Sequence, residues 1–168
     1  MEELELFHIS CERYKVGDKI NAPAETNYHK LTKEKGYEWV DLLLDSFKPE
    51  KAPSRKSTLY AFDKPNLCVV FFGNRKCANE GPFLYRVRML DPIKVPMSIV
   101  GSISKNEYDN EKLAQEYWCL TEEWGLYEYL SIQMEVLEII PITFRHRGSN
   151  ATELIIADQS KIKKKFAK

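Results

Sequence analysis

The hydrophobic pattern of this chain changes period partway along, and that change restricts its fold more than any other feature. Between Tyr37 and Phe47, Trp39, Leu43 and Phe47 recur four apart with Val40 and Leu44 beside them. That spacing predicts one apolar helix stripe, preceded by helical turns from about Asn27. In K-P-E-K-A-P-S-R-K, Pro49 and Pro53 then end the helix in a polar connection. Past Thr58 the period shortens. F-L-Y-R-V-R-M-L alternates, with Leu84, Arg86 and Arg88 on one face and Tyr85, Val87 and Met89 on the other, as in a half-exposed strand. A helical stretch followed by a strand-rich one places the chain in the α+β class.

The remaining segments carry the same signals. Leu4 to Ser10 reads as a first strand, and Gly17 with Asp18 supplies a turn. T-L-Y-A-F-D is a short strand ending at Lys64-Pro65. N-L-C-V-V-F-F-G favours strand by composition, the alternative being a helix entered at Asp63 with Pro65 in its first turn. Pro92, Pro96 and Gly101 break up the segment around P-M-S-I-V-G-S-I, and Asn106 to Trp118 forms a short helix. Leu126 to Ile142 holds one long strand or two, and A-T-E-L-I-I-A is the last apolar group. No repeat or long linker divides the chain, so residues 1–168 read as a single domain with a short lysine-rich tail, K-I-K-K-K-F-A-K, as a solvated end.

Composition narrows the function classes. At 168 residues, 43% hydrophobic and 30% charged, the chain has the size and make-up of one globular domain. Lysine plus arginine equals aspartate plus glutamate at 25 each, which gives no overall electrostatic case for nucleic acid or an anionic membrane. No apolar run is long enough to span a membrane. Cys11, Cys68, Cys77 and Cys119 have scattered spacings, and M-E-E-L-E-L carries no leader pattern, so reduced packing thiols and a cytoplasmic location are expected. Cys11 lies three residues after His8, but such neighbours seldom align as nucleophile and base. Neither G-x-G-x-x-G nor G-x-x-x-x-G-K-S/T occurs. His8, His29 and His146 form no metal motif, so no metal site is expected.

Three pieces do stand out in order: L-F-H-I-S at 6–10, T-L-Y-A-F-D at 58–63 and L-Y-E-Y-L-S at 126–131. They resemble the three motif strands of the ADP-ribosyltransferase superfamily, in its histidine-tyrosine-glutamate branch. F-H-I-S through V-G-D also resembles the start of small bacterial rifamycin-modifying transferases, and the layout is similar to that of uncharacterised bacterial and phage proteins. The resemblance implies an ADP-ribosyltransferase-like split antiparallel β-sheet core with flanking helices. It implies an NAD-dependent enzyme that cleaves the nicotinamide-ribose bond and transfers ADP-ribose to an acceptor it does not name: protein, nucleic acid, small molecule or water. His8 would hydrogen-bond a ribose of NAD with Ser10 close by, Tyr60 would stack on nicotinamide, and Glu128 would hold the nicotinamide ribose hydroxyl. A carboxylate fixed there offsets the oxocarbenium-like charge of the transition state.

Arg13 and Arg55 are the candidates to reach the pyrophosphate of NAD, surface charge being the plainer reading of each. Two residues before Glu128, where arginine-specific transferases carry a carboxylate, stands Leu126. Trp118 and Trp124 flank the preceding loop, as acceptor-site walls or as core. The alternative to the enzyme is an inactive module of the same fold that binds a nucleotide, nucleic acid or protein. The plain reading of Glu128 itself is an outward-facing residue on a half-buried strand.

Overall fold

The breaks in the hydrophobic pattern become element boundaries. The computed structural model describes residues 4–73, 77–106, 108–147 and 151–156. In chain order its elements are β1 (Leu6–Ser10), β2 (Lys19–Asn21), α1 (Asn27–Glu34), α2 (Glu38–Ser46), a 3-10 turn (Arg55–Ser57), β3 (Leu59–Ala61), α3 (Pro65–Phe72), β4 (Phe83–Met89), β5 (Ile93–Pro96), α4 (Met97–Ser104), α5 (Asn110–Cys119), β6 (Tyr127–Ser131), β7 (Gln133–Ile140), β8 (Ile142–Arg147) and β9 (Ala151–Ile156). They make an α+β fold with a split antiparallel sheet core and flanking helices. Two compact units are interleaved in sequence. One takes the residues up to Lys19, Ala61–Arg88 and those from Glu135 onward; the other takes Ile20–Tyr60 and Met89–Met134.

One sheet is ordered β1-β4-β7-β2, and the first unit holds β1, nearly all of β4 and most of β7. β1 runs antiparallel to β4, Leu6 opposite Val87 and Ser10 opposite Phe83, which sets His8 opposite Tyr85. Leu6, Phe7, Ile9, Leu84, Tyr85 and Val87 are buried. The alternation expected in F-L-Y-R-V-R-M-L holds from Tyr85 onward, with Arg86 half-buried and Arg88 exposed between buried Tyr85, Val87 and Met89, while Leu84, expected on the arginine face, is buried as well. β8 and β9 pair as an antiparallel hairpin.

N-L-C-V-V-F-F-G is helix α3, packed on β1, not the strand its composition favours. Lys64 is extended and Pro65 occupies the first turn, where its missing N–H is no loss. Leu67, Cys68 and Phe72 of α3 are buried. An apolar run of six residues, such as 67–72, reads alike as strand or buried helix, and here the proline decides.

Two of the cysteines expected to be reduced are joined: Cys11 and Cys77 form a disulfide. With a sequence separation of 66, the pair has no local spacing by which it can be read. Asn79 Nδ2 donates to the Cys11 carbonyl at 2.9 Å, and Arg13 pairs with Glu80 at 2.9 Å. Gly81 lies so close that an added Cβ would sit 3.1 Å from the Cys11 carbonyl oxygen. Cys68 and Cys119 are free, the first buried and the second exposed.

The second unit holds the sheet ordered β3-β6-β5, with Val95 of β5 opposite Glu128 of β6. α2 packs on α1 and α5, and α4 on α5. Gly36, at φ 80°, turns the chain between α1 and α2 in a conformation that favours glycine. The α2 stripe is rotated from the expected one. Val40, Asp41 and Leu44 are buried while Trp39 is 41% exposed.

Gly101 does not break its segment, because α4 runs through it from Met97 to Ser104. A mid-helix glycine costs about 1 kcal/mol, which packing against α5 offsets. α5 starts at Asn110, later than expected, because the Asp109 side chain caps it by accepting from the Lys112 N–H. The run after Leu126 divides into two strands at Ile132. The lysine-rich tail lies outside the described residues.

Candidate functional site

The polar residues on the buried face of α2 organise a cluster of buried charges. Asp41 and Asp45 lie one turn apart, and both hold Arg55. Asp45 Oδ1 accepts from the Arg55 backbone N–H at 2.9 Å, and Asp41 Oδ1 accepts from Arg55 Nε at 2.7 Å. Ser54 caps the 3-10 turn and donates its hydroxyl to Asp45. Thr26 N–H donates to the Lys56 carbonyl at 2.9 Å, and the Thr26 side chain caps α1 by accepting from the His29 N–H at 3.0 Å. The polar connection therefore docks on two helix ends.

Arg55 itself is fully buried, which overturns its plainer reading as surface charge. Its Nη1 donates to Glu128 Oε1 at 2.7 Å and contacts the Tyr117 hydroxyl. Tyr117 donates to the same Oε1 at 2.8 Å. The rings of Tyr28, Tyr60 and Tyr117 lie 5.9, 5.5 and 5.3 Å from the guanidinium carbon, so three aromatic faces enclose the cation. Tyr60 donates its hydroxyl to the Arg55 carbonyl at 2.8 Å, and its ring meets Tyr28 edge-on. On the far side, His29 Nδ1 lies 2.9 Å from Asp41 Oδ2, and Nε2 lies 3.5 Å from Glu38. A carboxylate can only accept, so Nδ1 is the donor.

The electrostatics follow from burial. Burial by itself weakens the charged form of Arg55, but Tyr117, Tyr60, Glu128 and Asp41 outweigh it and hold the guanidinium protonated. Burial pushes the Tyr60 and Tyr117 phenols well above their ordinary range, with Arg55 pulling the other way. Two carboxylates, Asp41 and Glu128, face one guanidinium, so these three groups sum to one negative charge. Glu128 is 3% exposed, which corrects its plain reading as an outward-facing strand residue. Such a cluster can hold a carboxylate in one orientation.

Of the expected site residues, Glu128, Tyr60 and Arg55 come together in the second unit. His8, Ser10 and Arg13 belong to the first: His8 half-buried in β1, Ser10 accepting from the Glu12 N–H, and Arg13 exposed beside Glu80 and over the Phe83 ring. Asp41, His29 and Tyr117 complete the cluster and were not singled out from the sequence. Asp41 had one readable sign, a carboxylate in W-V-D-L-L flanked by the apolar stripe.

Leu126 is 42% exposed. Trp118 donates to the Leu44 carbonyl at 2.7 Å and packs edge-on against Tyr117, while Trp124 donates to Glu116 Oε1 at 3.2 Å. Both indoles are half-buried parts of the second unit. Among the described residues no group of three or more His, Cys, Asp or Glu is placed to hold a metal, and no helix is long and apolar enough to cross a membrane.

Comparison with models of known protein families and with curated proteins finds no match to this chain.

Proposed function

We propose that the protein is an NAD-consuming ADP-ribosyltransferase of the histidine-tyrosine-glutamate type, with Glu128 as its catalytic carboxylate. The supporting observation is the convergence of Glu128 and Tyr60, 68 residues apart, on the buried Arg55. In this reading the bond between ribose C1′ and the nicotinamide nitrogen breaks, its electron pair leaves with neutral nicotinamide, and positive charge develops on the sugar. Among the described residues the donors to Glu128 both use Oε1, and in this reading Oε2 takes the 2′-hydroxyl of that ribose. The acceptor then bonds to C1′ and releases a proton. Fixing the carboxylate beforehand stabilises the transition state without reorganisation at the moment of reaction. Tyr60 faces the nicotinamide, and Arg55, expected at the pyrophosphate, orients Glu128.

A second reading is favoured by burial. Glu128 and Tyr60 are 3% and 4% exposed, and Arg55 offsets the carboxylate charge. A scaffold with its polar cluster closed in this way serves as a binding module for a nucleotide, nucleic acid or protein, without turnover.

Nicotinamide release from NAD by the purified protein, with and without cell lysate as acceptor source, separates the two. Release that falls at least about 100-fold in Glu128→Gln supports the transferase. Equal release from both proteins, or none together with no calorimetric NAD binding, refutes it.

A further inference from the structure

His29, Asp41, Arg55 and Glu128 form a continuous chain of contacts running from α1 through α2 and the 3-10 turn to β6, and every member is buried. Its geometry is directional. Asp41 uses its two oxygens on different partners, Oδ2 towards His29 Nδ1 at 2.9 Å and Oδ1 towards Arg55 Nε at 2.7 Å. Nε sits at the bend of the guanidinium fork, so fixing it sets where Nη1 points, and Nη1 reaches Glu128 Oε1 at 2.7 Å. Asp45 holds the backbone N–H of the same arginine at 2.9 Å, so α2 fixes both ends of Arg55.

We infer that Asp41 is a positioning residue for Glu128, acting through Arg55, with His29 as its anchor; this rests on the transferase reading of the protein. Asp41 does two things that a neutral residue would not. It sets the Arg55 fork, and it takes a share of the guanidinium charge. A Glu128 paired alone with Arg55 would be neutralised and would offset little positive charge on a ribose. With Asp41 present, the three groups keep one net negative charge to place against it. Asparagine at position 41 has the same shape, yet it loses both functions in part.

The test uses full-length wild type, Asp41→Asn, Glu128→Gln, the double variant and His29→Leu. Nicotinamide release from NAD gives kcat and KM at a temperature where each protein is folded by circular dichroism, and urea unfolding gives folding constants. Asp41→Asn is expected to lower kcat about 10- to 100-fold and move KM less than about threefold, because the loss is specific to the transition state. His29→Leu lowers kcat in the same sense by less, and it carries the test if Asp41→Asn does not fold. Residues coupled through one shared partner are non-additive. The folding constant of the double variant should therefore depart at least about fivefold from the product of the single effects.

A wild type that turns over NAD while Asp41→Asn and His29→Leu keep its kcat overturns this inference and leaves the transferase reading standing. Additive folding constants overturn it as well. A wild type that releases no nicotinamide overturns the parent reading and this inference with it.

Discussion

Replacing Arg55 with methionine keeps an unbranched chain in place and removes the guanidinium that pairs with both Asp41 and Glu128. Both pairs are at 2.7 Å, with all three side chains at 4% exposure or less. Removing one partner of a buried pair costs about 3–5 kcal/mol, chiefly because the other charge is left uncompensated. Here two carboxylates lose the same partner, and effects that share a partner do not simply add. The expected loss is about 5 kcal/mol, a large part of the roughly 5–15 kcal/mol that holds a domain folded.

The sharper expectation is a reversal of sign. In the wild-type background Glu128→Gln destabilises by about 2 kcal/mol, since Arg55 and Tyr117 lose a charged acceptor. In the Arg55→Met background the same substitution removes a buried unpaired charge and stabilises by about 1–2 kcal/mol. Urea unfolding followed by the fluorescence of Trp39, Trp118 and Trp124 reads both, with an unchanged slope as the check on two-state behaviour. Destabilisation of similar size in both backgrounds would refute the view that Arg55 neutralises Glu128.

Reduction of the Cys11–Cys77 disulfide, or its replacement by two serines, should lower stability by about 2–4 kcal/mol, in line with the 66-residue separation it closes. Iodoacetamide on the folded oxidised protein should label Cys119 and spare Cys68, which is buried with its thiol pushed up by desolvation; equal labelling would contradict that burial. Alkaline pH should unfold the protein early. Tyr60 and Tyr117 keep their protons in the folded state well above pH 10.0, while in the unfolded chain they lose them near it. The folded state then binds more protons, so stability is intact below the unfolded value and falls as pH rises through it, by about 1.4 kcal/mol per pH unit for each tyrosine. Urea midpoints that stay level between pH 9 and pH 11 would exclude two shielded phenols.

The elements with a decisive local signal were legible: β1, the helix α2 though not its buried face, the alternation along most of β4, and the short strands that contain Tyr60 and Glu128. Where the signal was only composition, it misled. The run in α3 is equally apolar as helix or strand, and Pro65 outweighed its β-branched residues. Gly101 looked like a break because propensity ignores the helix packed beside it. Of the buried cluster, Tyr60, Glu128 and Arg55 were named from the sequence, Arg55 as a pyrophosphate candidate with surface charge as its plainer reading; beyond its place in the apolar stripe, nothing local shows that Asp41, fourteen residues earlier, is turned inward to meet Arg55. Long-range pairings such as Arg55 with Glu128 or Cys11 with Cys77 leave no periodicity behind.

The disulfide has a topological consequence. Cys11 and Cys77 both belong to the first unit, while the whole Ile20–Tyr60 segment of the second lies between them in the chain. That segment is thus an arc of a closed covalent ring. A protease that cuts once anywhere inside the ring produces two polypeptides that still migrate as one molecule until a thiol is added. The α2 aspartates and Arg55 all ride on that arc, so the oxidised protein can be nicked within it and still keep every partner of the cluster on one covalent frame.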